Sequence, residues 1–133
     1  MRRAALAVIG VLMASNAVLA VAADPPAFER GRTVFVHYCA PCHATGRGAD
    51  GAPMLPGTHA LYLKYKGSKP ALLEQRSDLS FELIKTFVRN GVASMPPFRK
   101  TEVTDDDLKA IAAYLAGTVK NRTQSELRPN KRD

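Results

Sequence analysis

Cys39-Ala40-Pro41-Cys42-His43 is the stretch on which the reading of the chain turns. Two thiols separated by two residues reach the two vinyl groups of one porphyrin edge, and an imidazole on the next residue can lie under the macrocycle as a ligand to its iron. Two other chemistries share part of the pattern. Cys-x-x-Cys also serves thiol–disulfide exchange, but that motif opens a helix after a strand in a βαβ unit, and no strand-like alternation precedes Cys39. A zinc site would need four ligands drawn from Cys39, Cys42 and the histidines His37, His43 and His59, without the second spaced pair that makes zinc signatures specific. The reading is therefore one covalently bound haem c, attached through Cys39 and Cys42, with His43 as an axial ligand of its iron.

The composition suits a small domain built around such a group. The 133 residues are 46% apolar and 23% charged, with a net charge of +7, which allows one domain and is too hydrophobic for a disordered polyelectrolyte. Two cysteines cannot form a multi-disulfide scaffold. A domain of this size is only modestly stable unless something is added, and an apolar macrocycle can supply the missing core.

Outside the motif, the chain opens on Met1-Arg2-Arg3 and continues without charge from Ala4 to Ala23, with Leu6, Val8, Ile9, Val11, Leu12 and Met13 at its apolar centre. Ala20-Val21-Ala22-Ala23 closes it with small residues, as a signal-peptidase site requires. An uncleaved anchor of that length could just span a bilayer, but Ser15, Asn16 and the small-residue exit favour cleavage. The expected organisation is residues 1–23 as a signal peptide, 24–119 as the folded domain and 120–133 as a flexible basic tail. The location expected is the periplasm, with no stable membrane insertion after cleavage. Nucleic acid is a poor partner for an exported protein, despite the basic balance.

Helical periodicity accounts for the rest, and nothing alternates as a strand. Phe28 to Tyr38 reads as a helix punctuated by Pro25 and Pro26, with Gly31 inside it at a cost of about 1 kcal/mol relative to Ala unless another helix approaches there. Ser80 caps a helix from Phe81 to Asn90 that Gly91 ends, and Pro70 to Arg76 suits a short one. Thr104 with Asp107 forms a capping box for a last helix carrying Leu108, Ile111, Tyr114 and Leu115, with Gly117 as its stop. Beyond the signal only Met54 and Met95 remain as thioether donors. Met54 lies in a Gly/Pro-rich loop, whereas Met95 precedes Pro96-Pro97 in a loop stiff enough to present a ligand at a fixed distance.

From Phe28 to Gly117 the chain resembles class I cytochromes c, on the Gly31-x-x-x-Phe35-x-x-x-Cys39-x-x-Cys42-His43 spacing. That resemblance implies an all-α fold of three to five helices around one covalently bound haem, with Gly31 and Phe35 of the first helix packed against Ile111 and Tyr114 of the last. It implies Met95 as the distal iron ligand and Pro53 as the residue whose carbonyl accepts the other N–H of His43. With both axial positions filled, the expected function is single-electron transfer without a catalytic residue.

A narrower resemblance rests on the segments Val88-Arg89-Asn90-Gly91 and Met95-Pro96-Pro97-Phe98, together with Ala60 to Arg76. These look like the cytochrome subunits of p-cresol methylhydroxylase-type flavocytochromes. The likeness implies an FAD-containing dehydrogenase as electron donor and a downstream redox protein as acceptor; the alternatives are a free soluble electron shuttle or a thiol–disulfide oxidoreductase. Lys64, Lys66, Lys69, Arg89, Arg99 and Lys100 could ring a docking surface for an acidic partner. By family position Arg89, Arg99, Tyr62 and Tyr65 are the nearest candidates to pair with haem propionates.

Overall fold

Pro26 is extended (φ −48°, ψ 144°) and hands over directly to α1, Ala27–Val34. Its missing N–H costs nothing at a helix start. The computed structural model describes residues 26–127, so the signal peptide assigned to residues 1–23 lies outside the described residues, as does the end of the chain from 128. The first helix does not stop at Tyr38. It widens into a π-helical turn over Phe35–Cys39, closed by the Ala40 N–H bonding to the Phe35 carbonyl, and continues as α2, Ala40–His43. Pro41 explains the widening, because a proline inside a helix removes one N–H and its ring crowds the carbonyl four residues back.

Helix α3, Pro56–Tyr65, is not marked by any apolar stripe; it begins where Pro56 supplies a pre-set φ at the first helical position and ends on Lys66 in the left-handed conformation (φ 46°). The expected short helix at Pro70 to Arg76 shrinks to a 3₁₀ turn, Leu73–Gln75. Helix α4, Phe81–Asn90, is capped by the Ser80 side chain, which accepts from the Leu83 N–H, and ends at Gly91. Before α5, Asp105–Leu127, the capping box forms as expected: Asp107 Oδ2 accepts the Thr104 N–H at 2.9 Å and Thr104 Oγ1 accepts the Asp107 N–H at 3.1 Å.

The core forms where α1 crosses α5. Phe35, Leu108, Ile111 and Leu115 are each at most 2% exposed, with Val103, Ile84, Val88 and Tyr114 around them. Gly31 sits at the closest approach: a Cβ there would lie 2.8 Å from Tyr114 Cβ and deep inside the Ala110 carbonyl. Tyr114 fills the angle between the helices, its ring 5.2 Å from Phe28 and 5.4 Å from Phe35. The contact expected among Gly31, Phe35, Ile111 and Tyr114 is present, with Ala110 as an added partner.

Gly117 does not end the last helix. A Cβ there would stand 2.7 Å from the Phe28 ring, so this glycine admits an aromatic side chain. The helix runs on to Leu127, held by Thr118 Oγ1 and Arg122 donating to the Glu74 carbonyl at 3.2 and 3.4 Å. Residues 120–127 of the expected flexible tail are therefore helical. Among the described residues there is no strand, the nearest thing being the isolated bridge of Val92 to Met95. Likewise, no helix among them is long and apolar enough to cross a membrane.

Candidate functional site

The π turn delivers Cys39 half-buried against the core and α2 carries Cys42 exposed, both as free thiols. Burial, with the neighbouring Cys42 adding to it, pushes the Cys39 thiol up to about 11. A thiol that stays protonated at neutral pH is a poor partner for disulfide exchange, which weighs against the oxidoreductase alternative. Zinc fares no better: among the described residues no group of three or more His, Cys, Asp and Glu side chains comes together to hold a metal ion.

His43 closes α2. Burial holds its imidazole pKa below the usual value, keeping the ring neutral, as a metal-ligating histidine must be. Its Nδ1 is buried and has no hydrogen-bond partner, so the expected bond to the Pro53 carbonyl is not made. Helix α3 lies against the ring. Its start presses Gly57 against the imidazole, where a Cβ would meet Cε1 at 2.6 Å and Nδ1 at 2.8 Å. Pro53 instead lines a cavity of about 340 Å³ beside the chain leaving His43, together with Met54, Ala44, Thr58 and Leu72.

Thr58 escaped the sequence reading. It is 4% exposed, and its Oγ1 donates to the Ala44 carbonyl at 3.1 Å and reaches the Cys42 carbonyl at 3.5 Å. These are the free carbonyls that end α2, so one hydroxyl caps that helix and fixes α3 beside His43. A threonine in a Gly-Thr-His run carries no sequence signal for such a role.

Met95 lies on the loop leaving α4, half-buried and packed on the same core as Cys39. Val92 and Met95 exchange backbone hydrogen bonds of 3.0 and 2.9 Å, tightening the turn that carries it. Beyond the two prolines, the Phe98 ring meets the Tyr38 ring edge-on at 5.9 Å, so the residue before Cys39 touches the end of the Met95 loop. The structure thus gathers Cys39, Cys42 and His43 on one segment and joins the Met95 loop to it through two aromatic rings.

The cations are less free than a docking ring requires. Arg89 turns inward to Asp105, Arg99 pairs with Glu102, and Lys100 and Lys85 also approach Asp105. Lys69 shares Asp78 with Arg76, which is 5% exposed and lies over the Tyr65 ring at 4.8 Å. This leaves Lys64, over the other reach of Tyr65, and the exposed Tyr62, Leu63 and Lys66 as the open surface of α3.

The residues fit a covalent haem: two thiols two residues apart, an adjoining imidazole that burial keeps neutral, and a glycine where any side chain would displace that ring. A family model described as "Cytochrome C oxidase, cbb3-type, subunit III" matches residues 26–115. Among characterised proteins, the chain is 30% identical over 129 residues to the cbb3-type cytochrome c oxidase subunit CcoP of Rubrivivax gelatinosus, covering 94% of this chain and 38% of that protein. It is 32% identical over 90 residues to cytochrome c6 of Cyanidioschyzon merolae, covering 68% and 73% of the two chains. With cytochrome c6 of Rippkaea orientalis the identity is 33% over 100 residues, covering 72% and 78%. The chain thus spans little more than a third of the CcoP subunit. No solved structure matches it.

Proposed function

The chain belongs to the cytochrome c family, and from that footing we propose that Cys39 and Cys42 anchor its haem, that His43 and Met95 ligate the iron, and that the electron it carries comes from an FAD-containing dehydrogenase. As a member of the family it holds covalently bound haem c and transfers electrons, one at a time. It is a carrier and not itself an enzyme. The single observation that supports the ligand assignment best is His43, a half-buried neutral ring on the same segment as two unpaired thiols, with Gly57 cleared for it.

The bound iron supplies a one-electron couple. The protein's share is to hold His43 by the close packing of Gly57 and by Thr58 on the flanking carbonyls, to present Met95 on a two-proline loop, and to exclude water with the packed α1–α5 crossing. Were Met95 and His43 to hold the iron, a thioether and an imidazole together would raise its potential, and a water-poor site would disfavour the extra charge of the ferric state. Pro53 stands in the wall of the cavity beside the His43 segment and shapes that side of the site.

For the partner, the Val88-Arg89-Asn90-Gly91 and Met95-Pro96-Pro97-Phe98 segments support a subunit of the p-cresol methylhydroxylase kind, passing electrons on to the respiratory chain in the periplasm, with residues 1–23 as the export signal and the remainder as one cytochrome domain and a short basic end. A free soluble shuttle is the second reading. The specific observation favouring it is that the chain covers about three quarters of the two cytochrome c6 relatives.

The test is the protein matured in a periplasm with haem-attachment machinery. A reduced pyridine adduct of the covalent type is expected, together with a sulfur-to-ferric-iron charge-transfer band. Met95→Ala should abolish the band and lower the potential by on the order of 0.1 V, within the span that axial ligands control, while Met54→Ala keeps both. The reverse pattern would overturn the ligand assignment. Co-purification with a flavoprotein supports the subunit reading, and a monomer reduced equally by unrelated donors supports the shuttle.

A further inference from the structure

We infer that Arg89 is the positioning residue of the Met95 loop, its guanidinium clamping the point where that loop rejoins α4. This rests on the reading of Met95 as an iron ligand. The chain leaves α4 at Gly91, turns tightly through Ala93 in the left-handed region (φ 50°), presents Met95 and then passes Pro96 and Pro97, which have no N–H to anchor them. Anchorage therefore falls on Phe98, and successive residues of α4 hold both of its backbone groups. The Phe98 N–H donates to the Val88 carbonyl at 2.8 Å, and Arg89 Nη1 donates to the Phe98 carbonyl at 3.0 Å.

The same guanidinium continues beyond the loop. Nη2 donates to the Val103 carbonyl at 2.8 Å and to Asp105 Oδ1 at 2.7 Å, so one side chain ties α4, the loop exit and the first turn of α5 together. A planar fork reaches acceptors spread in this way from two separate nitrogens, whereas a lysine ammonium offers its donors from a single atom and serves them less completely. Arg89 Nε is buried without a partner, so the group's hold on the molecule is through Nη1 and Nη2. The Arg89 side chain is 17% exposed, which takes it out of the docking surface and leaves little solvent to compete for these bonds.

If the clamp fixes the loop, loosening it lets a competing ligand displace the thioether without unfolding the domain. The experiment measures the charge-transfer band and the imidazole dissociation constant of ferric holoprotein for wild type, Arg89→Ala, Arg89→Lys and Lys109→Ala. Lys109 is an exposed cation beside Asp106 on α5 and controls for lost charge. Arg89→Ala should weaken the band and bind imidazole at least tenfold more tightly, Arg89→Lys should fall between, and Lys109→Ala should match wild type. The inference is overturned by an imidazole affinity within twofold of wild type in Arg89→Ala, or by an equal change in Lys109→Ala. Should Arg89→Ala fail to accumulate as haem protein, Arg89→Lys decides alone, and wild-type values there overturn it equally. A wild type without the band removes the Met95 assignment itself, which separates that failure from failure of the clamp.

Discussion

Gly57 lies so close to His43 that a single methyl group on its Cα would stand 2.6 Å from Cε1 of the imidazole and 2.9 Å from the Cys42 carbonyl. The imidazole is packed from behind by the start of helix α3, at a position that leaves no room for a side chain.

Gly57→Ala should therefore push the imidazole or α3 aside. Overpacking of this kind costs about 1–3 kcal/mol, which in a domain of this size lowers Tm by at least about 4 °C. Thermal melts of matched holoproteins check it; an unchanged Tm would mean the start of α3 moves freely.

Gly31→Ala meets backbone and not a flexible side chain, because the new Cβ would enter the Ala110 carbonyl and approach Tyr114 Cβ to 2.8 Å. Helices α1 and α5 would have to separate along the core, with an expected loss of about 3 kcal/mol or more. Denaturant midpoints report it, and a midpoint equal to wild type would show that the crossing is looser than its packing.

Acid should weaken the fold through two carboxylates. Hydrogen bonding from Arg76, then from Lys69, holds Asp78 well below the usual carboxylate range, and Arg89 lowers Asp105 to about 2. Both are depressed below the unfolded value, so the folded form binds fewer protons. Their contribution is complete above about pH 4 and is lost as pH falls towards 2. Urea titrations at pH 5 and pH 3 should show a smaller drop in Asp78→Asn and Asp105→Asn than in wild type. Equal drops would assign acid sensitivity elsewhere.

Thiol chemistry separates carrier from oxidoreductase. In apoprotein at pH 8, iodoacetamide should alkylate exposed Cys42 well before Cys39, whose thiol is pushed up to about 11 by burial. Haem-loaded protein should resist alkylation at both. Rapid modification of Cys39 in the loaded protein would contradict covalent attachment there.

Thr58→Val should leave the part-buried Ala44 carbonyl without this partner, at about 1 kcal/mol. Melting of the holoprotein measures the loss, and Thr58→Ser, which keeps the hydroxyl, should recover most of it.

Local sequence was enough for the features whose cause is local. The capping box of Thr104 and Asp107, the Ser80 cap and the stripe of Leu108, Ile111 and Leu115 are set by groups within one or two helical turns of one another. The Cys39-x-x-Cys42-His43 spacing is of the same kind, since one porphyrin edge dictates it. Gly117 misled for the same reason: a glycine near a helix end reads as a stop, but Phe28, far away in the chain, needs the space.

What the sequence alone determined was an all-α chain, its covalent haem motif and the two methionines from which a second ligand could come. Only the tertiary structure decided how the site is held. Gly57 against His43, Thr58 against the Ala44 carbonyl, Tyr38 against Phe98, and Arg89 across Phe98, Val103 and Asp105 are contacts between segments distant in sequence. No periodicity encodes them, because each depends on where two helices or a loop come to rest when the core around Phe35 and Leu108 closes.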